Sequence, residues 1–435
     1  YAETRESEPT SSSTFNNTWN GLYSTLKSAR IIINQCSEGG IDYGNFATKG
    51  MAEVLAAYNC ALIADMFGDA PCSQAALVDE NGSPVYLTPK MDKQEEIYTQ
   101  AMQYLDDAIA DLQKEDLIDP GAQDLLYQGD AEKWLKLAYG LKARYTMHLL
   151  KRSANKDADM EKVLEYVDNS FESAEEQAAF DVYDANNINP LYGFFVARAG
   201  LGASESMRSK LAEYNDPRLS RAFITKQGAS GKEQAPGTAD NAVYAPNGSP
   251  EQGTSKYGTS LFMYSISAPT LLLSYHELKF LEAEALCRLG RDAKSALKDA
   301  VVAGLLNAEN SFSVSRKELG KTLINPASSI TDTEAESYFD NTIEAKYTAE
   351  PLKTTMIQKY FALWGASGEA TESYNDVRRM KGLGENFIEL KNPNSFPLRC
   401  PYGNSDTTTN AEVKAAYGNG QYVYSENVWW AGGSR

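Results

Sequence analysis

The sequence predicts a mostly α-helical fold: antiparallel pairs of amphipathic helices in a right-handed, tetratricopeptide-like array that carries one long loop-rich insertion. Three observations lead there. Apolar residues recur at three- and four-residue steps through the first 150 residues and again from about 269 to 381. These helical stretches come in pairs joined by short turns, although no strict repeat of about 34 residues appears. Residues about 172–268 lose the period and become rich in Asn, Gly, Ser and Pro.

The first helix is expected at about 16–36, where Trp19, Leu22, Leu26, Ala29, Ile33 and Cys36 share a face. The second, about 47–67, buries Met51, Val54, Leu55, Tyr58, Leu62 and Met66. "KQEEIYTQAMQYLDDAIADLQ" gives the third, with Asp92 as its expected N-cap and Glu95 closing a capping box. The fourth, "DAEKWLKLAYGLKARYTMHLLKRS", starts on the cap Asp130 and ends on Lys151 and Arg152. The insertion keeps a helical period only around 204–215. "SAPTLLLSYHELKFLEAEALCRLG" then reads as a helix stopped by Gly290, paired with "DAKSALKDAVVAGLLNA". Two more, about 333–348 and 352–364, precede "ESYNDVRRM". The chain is read as one domain, 1–435: a helical scaffold at about 16–153 and 269–381, the insertion at about 172–268, and an irregular tail at 382–435.

Composition removes several function classes. Lys and Arg number 41 against 59 Asp and Glu, a formal charge of −18. That balance repels nucleic-acid phosphates and an anionic lipid surface. No segment reads as the roughly 18 apolar residues of a membrane-spanning helix. The chain begins "YAETRESEPT", without an initiator methionine, so an upstream segment such as a signal peptide is expected to have been removed or left out. Cys36, Cys60, Cys72, Cys287 and Cys400 show no CxxC pair or metal-like spacing and read as small buried hydrophobes. Tyrosine is abundant, with 26 Tyr beside 15 Phe and 5 Trp, and it suits half-wet surfaces as well as helix interfaces.

Little here supports catalysis. The two histidines, His148 and His276, lie in separate helices far apart in sequence, so a Ser-His-Asp or Cys-His arrangement has little to draw on. No phosphate-cradling glycine motif follows a strand, and no metal or cofactor is expected. A glycosidase needs two carboxylates about 5–10 Å apart. Asp65 with Asp69 is the better-placed pair, and Glu282 with Glu284 diverge on their helix.

"ALIADMFGDAPCSQA", residues 61–75, poses a puzzle. Gly68 and Pro71 end the second helix, yet Asp65 and Asp69 sit at the end where the helix dipole disfavours negative charge. Either the acids satisfy nearby backbone while Phe67 fills the core, or the three face a ligand. Arg378 and Arg379 pose a parallel choice between pinning the last helices, through Asp376 or Glu344, and meeting a ligand. Trp429 and Trp430 read as packing the tail onto the helices.

A family resemblance joins these pieces. "MAEVLAAYNCALIADMFGDAP", "EEIYTQAMQYLDDAIADL" and "WLKLAYGLKARYTMHLL" resemble, in that order, the N-terminal half of SusD/RagB-like proteins. "SKLAEYNDPRLSRAF" looks like the family's Asp-Pro-Arg segment, here Asp216, Pro217 and Arg218. "LLLSYHELKFLEAEALCRLG" is similar to its Ala-Glu-Ala helix, here Ala283, Glu284 and Ala285. "MIQKYFALWGASGEATESYNDVRR" and "FPLRCPY" complete the series over roughly 16–430. The resemblance implies a SusD-like fold and a non-catalytic, surface-exposed outer-membrane lipoprotein of Bacteroidetes-type bacteria. It also implies glycan capture, or peptide capture in some members, for a TonB-dependent SusC-like transporter. The membrane would be reached only through an N-terminal lipid anchor absent from these residues. A peptide-binding scaffold is the alternative reading.

Sugar recognition needs flat aromatic faces and a few polar atoms for hydroxyls. The expected glycan-binding residues are therefore Asp65, Phe67 and Asp69 at the helix stop, Tyr86 in the loop beyond it, and Tyr192, Phe194, Tyr257, Phe262 and Tyr264 in the insertion, converging on one rim.

Overall fold

The computed structural model describes residues 10–198, 201–225, 235–237, 241–248, 257–392 and 395–435. They form two compact units that interleave in sequence. The N-terminal unit takes in 10–171, 375–385 and 395–435, and the central unit 172–374 and 386–392. These units cut across the scaffold, insertion and tail: the described residues of 172–268 join the helices of 269–374, and most of the described tail joins the first helices.

The N-terminal unit is built on α1 (Asn16–Cys36), α2 (Phe46–Phe67), α3 (Gln94–Asp111), α4 (Ala131–His148) and α5 (Lys156–Asp168). Successive helices pack as neighbours. The expected bounds hold to within a residue or two for the first three; α4 ends at His148, short of the expected Lys151 and Arg152, which lie in a 3-10 turn, Leu149–Arg152, and α5 is an element that the periodicity did not mark. Asp130 caps α4 as expected, accepting from the Glu132 and Lys133 amides. Asp92 does not cap α3. The α3 cap is Lys93, whose N–H meets Glu96 Oε2 at 3.0 Å. Asp92 instead accepts from the Cys72 and Ser73 amides at 2.8 and 2.7 Å and ties the α2–α3 loop at its root.

α2 carries buried residues on every side, the signature of a helix surrounded by others. It also corrects one expectation: among the described residues it is the helix long and apolar enough to cross a membrane, although most of that stretch is buried inside the protein.

The central unit holds β1 (Ala178–Phe180), α6 (Pro190–Arg198), α7 (Glu205–Glu213), β2 (Phe223–Ile224), β3 (Thr259–Ser260), β4 (Thr270–Leu273), α8 (Tyr275–Arg288), α9 (Lys294–Leu319), α10 (Asp332–Tyr338), α11 (Glu344–Ala349) and α12 (Pro351–Ala362). A π-helical turn, Phe339–Ile343, joins α10 to α11. The helix expected from Ser267 onward starts later. Residues 270–273 pair antiparallel with β1, Ala178 opposite Leu273, and Ser274 then caps α8 by accepting from the Glu277 amide at 3.0 Å. Three consecutive leucines lie in this strand, where an apolar run cannot be told from helix by period alone. α8 and α9 pack antiparallel. Where α9 crosses α12, Gly304 is required by proximity: a Cβ there would lie 2.8 Å from Ala362 Cβ.

α13 (Ala370–Leu383) has residues 370–374 in the central unit and 375–383 in the N-terminal unit. The tail adds α14 (Asn404–Thr409), α15 (Ala411–Tyr417) and α16 (Tyr422–Ser425). Arg379 Nη2 bonds Asp376 Oδ1 at 2.7 Å, whereas Glu344 is taken by Lys294. Trp429 lies under the Arg152 guanidinium at 5.0 Å, and Trp430 is buried.

Candidate functional site

The helix stop at 65–69 is a polar knot inside the N-terminal unit. Asp65 Oδ1 accepts from the Trp430 indole at 3.0 Å and from the Tyr98 hydroxyl, and Oδ2 accepts from Asn375 Nδ2 at 3.2 Å. Asp69 accepts from the Gln94 amide and from Lys93 Nζ, both at 2.8 Å. This resolves the puzzle of acids at a helix C-terminus. In an antiparallel pair the end of α2 lies beside the start of α3, and Asp69 meets the first amide of α3, where negative charge is favourable. Gln94 completes the exchange by donating Nε2 to the Ala64 carbonyl at 2.6 Å. Phe67 is fully buried, edge-on to Trp19 with ring centroids 4.8 Å apart.

Three insertion aromatics are interior as well. Phe262 stacks on Phe312 at 4.6 Å and meets Trp364 edge-on at 5.0 Å. Tyr264 sits edge-on to Phe195 at 5.2 Å, and Tyr257 is buried. Six of the nine expected residues, Asp65, Phe67, Asp69, Tyr257, Phe262 and Tyr264, are thus buried and offer no open face to a ligand. Aromatic-rich loop sequence here is a core that irregular backbone carries. Phe194 is 51% exposed and Tyr86 44% exposed. Tyr192 is half-buried, and its hydroxyl donates to Glu318 Oε1 at 3.0 Å.

A concave site lies elsewhere, in the central unit. A cleft of about 310 Å³ opens along α9, lined by Lys298, Asp299, Val302, Ala303, Leu306, Asn307 and Asn310, by Tyr275 and His276 at the start of α8, by Ala174 and Gln177, and by Glu336 of α10. The α9 members recur at helical spacing and form the stripe opposite Leu297, Val301, Leu305 and Phe312, which are buried in the core. The β1–β4 ladder brings Gln177 beside α8, where its Oε1 accepts from the Tyr275 amide at 3.2 Å.

The walls combine aliphatic groups and amides with the charged Lys298, Asp299 and Glu336. Gln177, Asn307 and Asn310 each offer a donor and an acceptor, and Tyr275 offers a half-buried ring. Lys298 is held by both oxygens of Asp340 at 2.8 and 3.0 Å. His276 is buried beneath, and its Nε2 lies 3.9 Å from Glu369 Oε2. Burial, together with the Arg218 and Lys359 charges, outweighs Glu277 and lowers its pKa to about 4, so the ring is neutral near pH 7.

The carboxylates considered for acid–base chemistry are engaged elsewhere. Asp65 and Asp69 are bonded as above, Glu284 pairs with Arg288 at 2.7 Å, and Glu282 pairs with Lys279. The cleft offers aliphatic surface, side-chain amides and one aromatic ring to a ligand. The signal for it in the sequence was weak: Asn307 and Asn310 three residues apart, interleaved with Leu306 on the outer stripe of a helix.

Residues 5–402 match a family profile described as SusD-like, starch-binding associating with outer membrane. A crystal structure of a SusD/RagB family protein from Bacteroides thetaiotaomicron is 68% identical, with a TM-score of 0.95 over 100% of this chain and 91% of that one. A SusD homologue from Bacteroides fragilis has 21% identity and a TM-score of 0.70 over 94% of this chain and 89% of its own. A chitin-binding SusD homologue from Flavobacterium johnsoniae has 18% identity and a TM-score of 0.67 over 98% and 89%. At that identity the last two speak for the fold alone. No match was found among curated proteins.

Proposed function

This chain belongs to the SusD-like family, and on that premise we propose that it captures oligosaccharides at the outer cell surface without altering them. The carrying observation is the 310 Å³ cleft on α8 and α9, whose amides and half-buried tyrosine match sugar hydroxyls and ring faces. The family's description as starch-binding and associated with the outer membrane supports a glucan as cargo. Phe194 and the half-buried Tyr192, in the same unit as the cleft, are proposed as further contact points, and Tyr86, in the N-terminal unit, as a separate one. Asp65, Phe67 and Asp69 hold the fold that carries them.

The proposal extends to the cell. The protein is tethered as a lipoprotein through an upstream lipidated cysteine and delivers its cargo to a TonB-dependent SusC-like transporter. Calorimetry with maltooligosaccharides and chitooligosaccharides tests the first part. The expected result is saturable heat with no reducing ends released. Release of product from a clean preparation, or silence across a broad glycan array, overturns it.

A further inference from the structure

Cys60 on α2 and Cys72 in the loop that follows bring their sulfurs to 3.4 Å while both remain thiols. Both are buried in the N-terminal unit, apart from the cleft. Cys72 is held firmly. Its amide donates to Asp92 Oδ2 at 2.8 Å, its carbonyl accepts from Arg30 Nη1 at 2.8 Å, and its thiol faces Gln100 Oε1 at 3.2 Å. Arg30 Nη2 stands 3.9 Å from its sulfur. A cation and a hydrogen-bond donor beside a sulfur favour the thiolate, the reactive form. The contact with Cys60 lowers Cys72 below the ordinary thiol range, with help from Arg30 and against burial, while the same contact and burial raise Cys60.

We propose that Cys60 and Cys72 form a disulfide when a peroxide-class oxidant reaches them, stapling the root of the 68–93 loop to α2. The Cys72 thiolate attacks one peroxide oxygen. The O–O bond breaks, and the departing hydroxide takes a proton to leave as water, so Cys72 becomes a sulfenic acid. The Cys60 sulfur attacks that sulfur, the S–O bond breaks, and the hydroxyl leaves as water with the proton from Cys60. Two thiols and one hydrogen peroxide give one disulfide and two waters, with two electrons passing from sulfur to peroxide. The oxidant must be small, since both sulfurs are reached only through local opening. The root is already tied by Asp92 and Arg30, so little of the chain has to move.

The test treats the full chain with hydrogen peroxide, then denatures and alkylates it. Two of the five thiols should be lost to alkylation. The tryptic peptide 50–90, which contains both cysteines, should be lighter by two hydrogens and regain them on reduction. Cleavage between the two, at Met66, should leave the fragments joined. The melting temperature should rise by several degrees, because the cross-link restricts the unfolded chain. The proposal is overturned if all five thiols stay alkylatable under conditions that oxidise the denatured chain, or if the lost thiols fall in other peptides. It is also overturned if Cys60→Ala still yields the lighter peptide.

Discussion

Trp430 donates its indole N–H to Asp65 Oδ1 at 3.0 Å, joining residues 365 positions apart at a buried carboxylate. Tyr98 and Asn375 supply the other donors, so the acid is a hub for α2, α3, α13 and the tail. Asp65→Ala removes a buried acceptor shared by three donors and should cost about 2–3 kcal/mol in thermal or denaturant unfolding. Asp65→Asn should cost less. Neither change should weaken glycan affinity in whatever fraction stays folded, which calorimetry at a temperature well below the transition would show.

The cleft and the aromatic core should part company under mutation. Tyr275→Ala and Asn310→Ala should each weaken oligosaccharide binding about tenfold, the loss of a hydrogen bond or ring contact worth about 1.4 kcal/mol, with the melting temperature nearly unchanged. Phe262→Ala should do the reverse. Its ring is packed between Phe312 and Trp364, and its removal should cost about 3–5 kcal/mol of stability.

The two histidines give two resolvable signals in a histidine-labelled sample. The His276 signal should hold its neutral shift through pH 5 and titrate near a midpoint of about 4. The unfolded ring titrates near 6.5, so above that value His276 adds no pH dependence. Between about 6.5 and 4 the unfolded chain takes up a proton that the native chain refuses. This term then removes stability as the solution is acidified, at about 1.4 kcal/mol per pH unit. Glu53 works in the opposite sense. Burial outweighs Lys49 and raises it to about 7 from an ordinary 4.5, so its contribution is lost as pH rises through that window. Glu53→Gln should flatten the neutral-side slope and leave the His276 midpoint in place.

Gly304→Ala would place a methyl group 2.8 Å from Ala362 Cβ. α9 and α12 must then separate by a few tenths of an ångström. We expect a net loss of about 1–2 kcal/mol, after the gain in helix propensity is set against the strain. The next turn of α9 carries Asn307, so glycan binding should weaken in parallel. Chemical denaturation and calorimetry on the same preparation would check both.

The helices were legible wherever an apolar stripe met a cap that the sequence itself supplies. α1 follows from Trp19, Leu26 and Cys36, and α4 from Asp130. α3 was placed correctly from its stripe, but its cap was misread, because Asp92 looked free to turn inward when Cys72 and Ser73, twenty residues earlier, had already claimed it. β4 was lost because Leu271, Leu272 and Leu273 carry no period. The site was far less legible. Phe262 and Tyr264 looked like loop aromatics, since nothing local shows that Phe312 and Phe195 will cover them. The cleft needs 174–177, 275–276, 298–310 and 336 in one place, a convergence visible only after the chain has folded. The Asp65 knot fails to show for the same reason: its donors lie 33, 310 and 365 positions away.

The interleaving of the two units sets an order of assembly. A nascent chain that has emerged as far as α5 holds Asp65 without Trp430, and Asp92, Arg30 and the paired thiols without the tail that closes over their neighbours. Its first helices can form early, but their interior stays wet and exchangeable until residues 395–430 arrive. The buried hub at Asp65 is therefore complete only when the far end of the chain is present to supply Trp430.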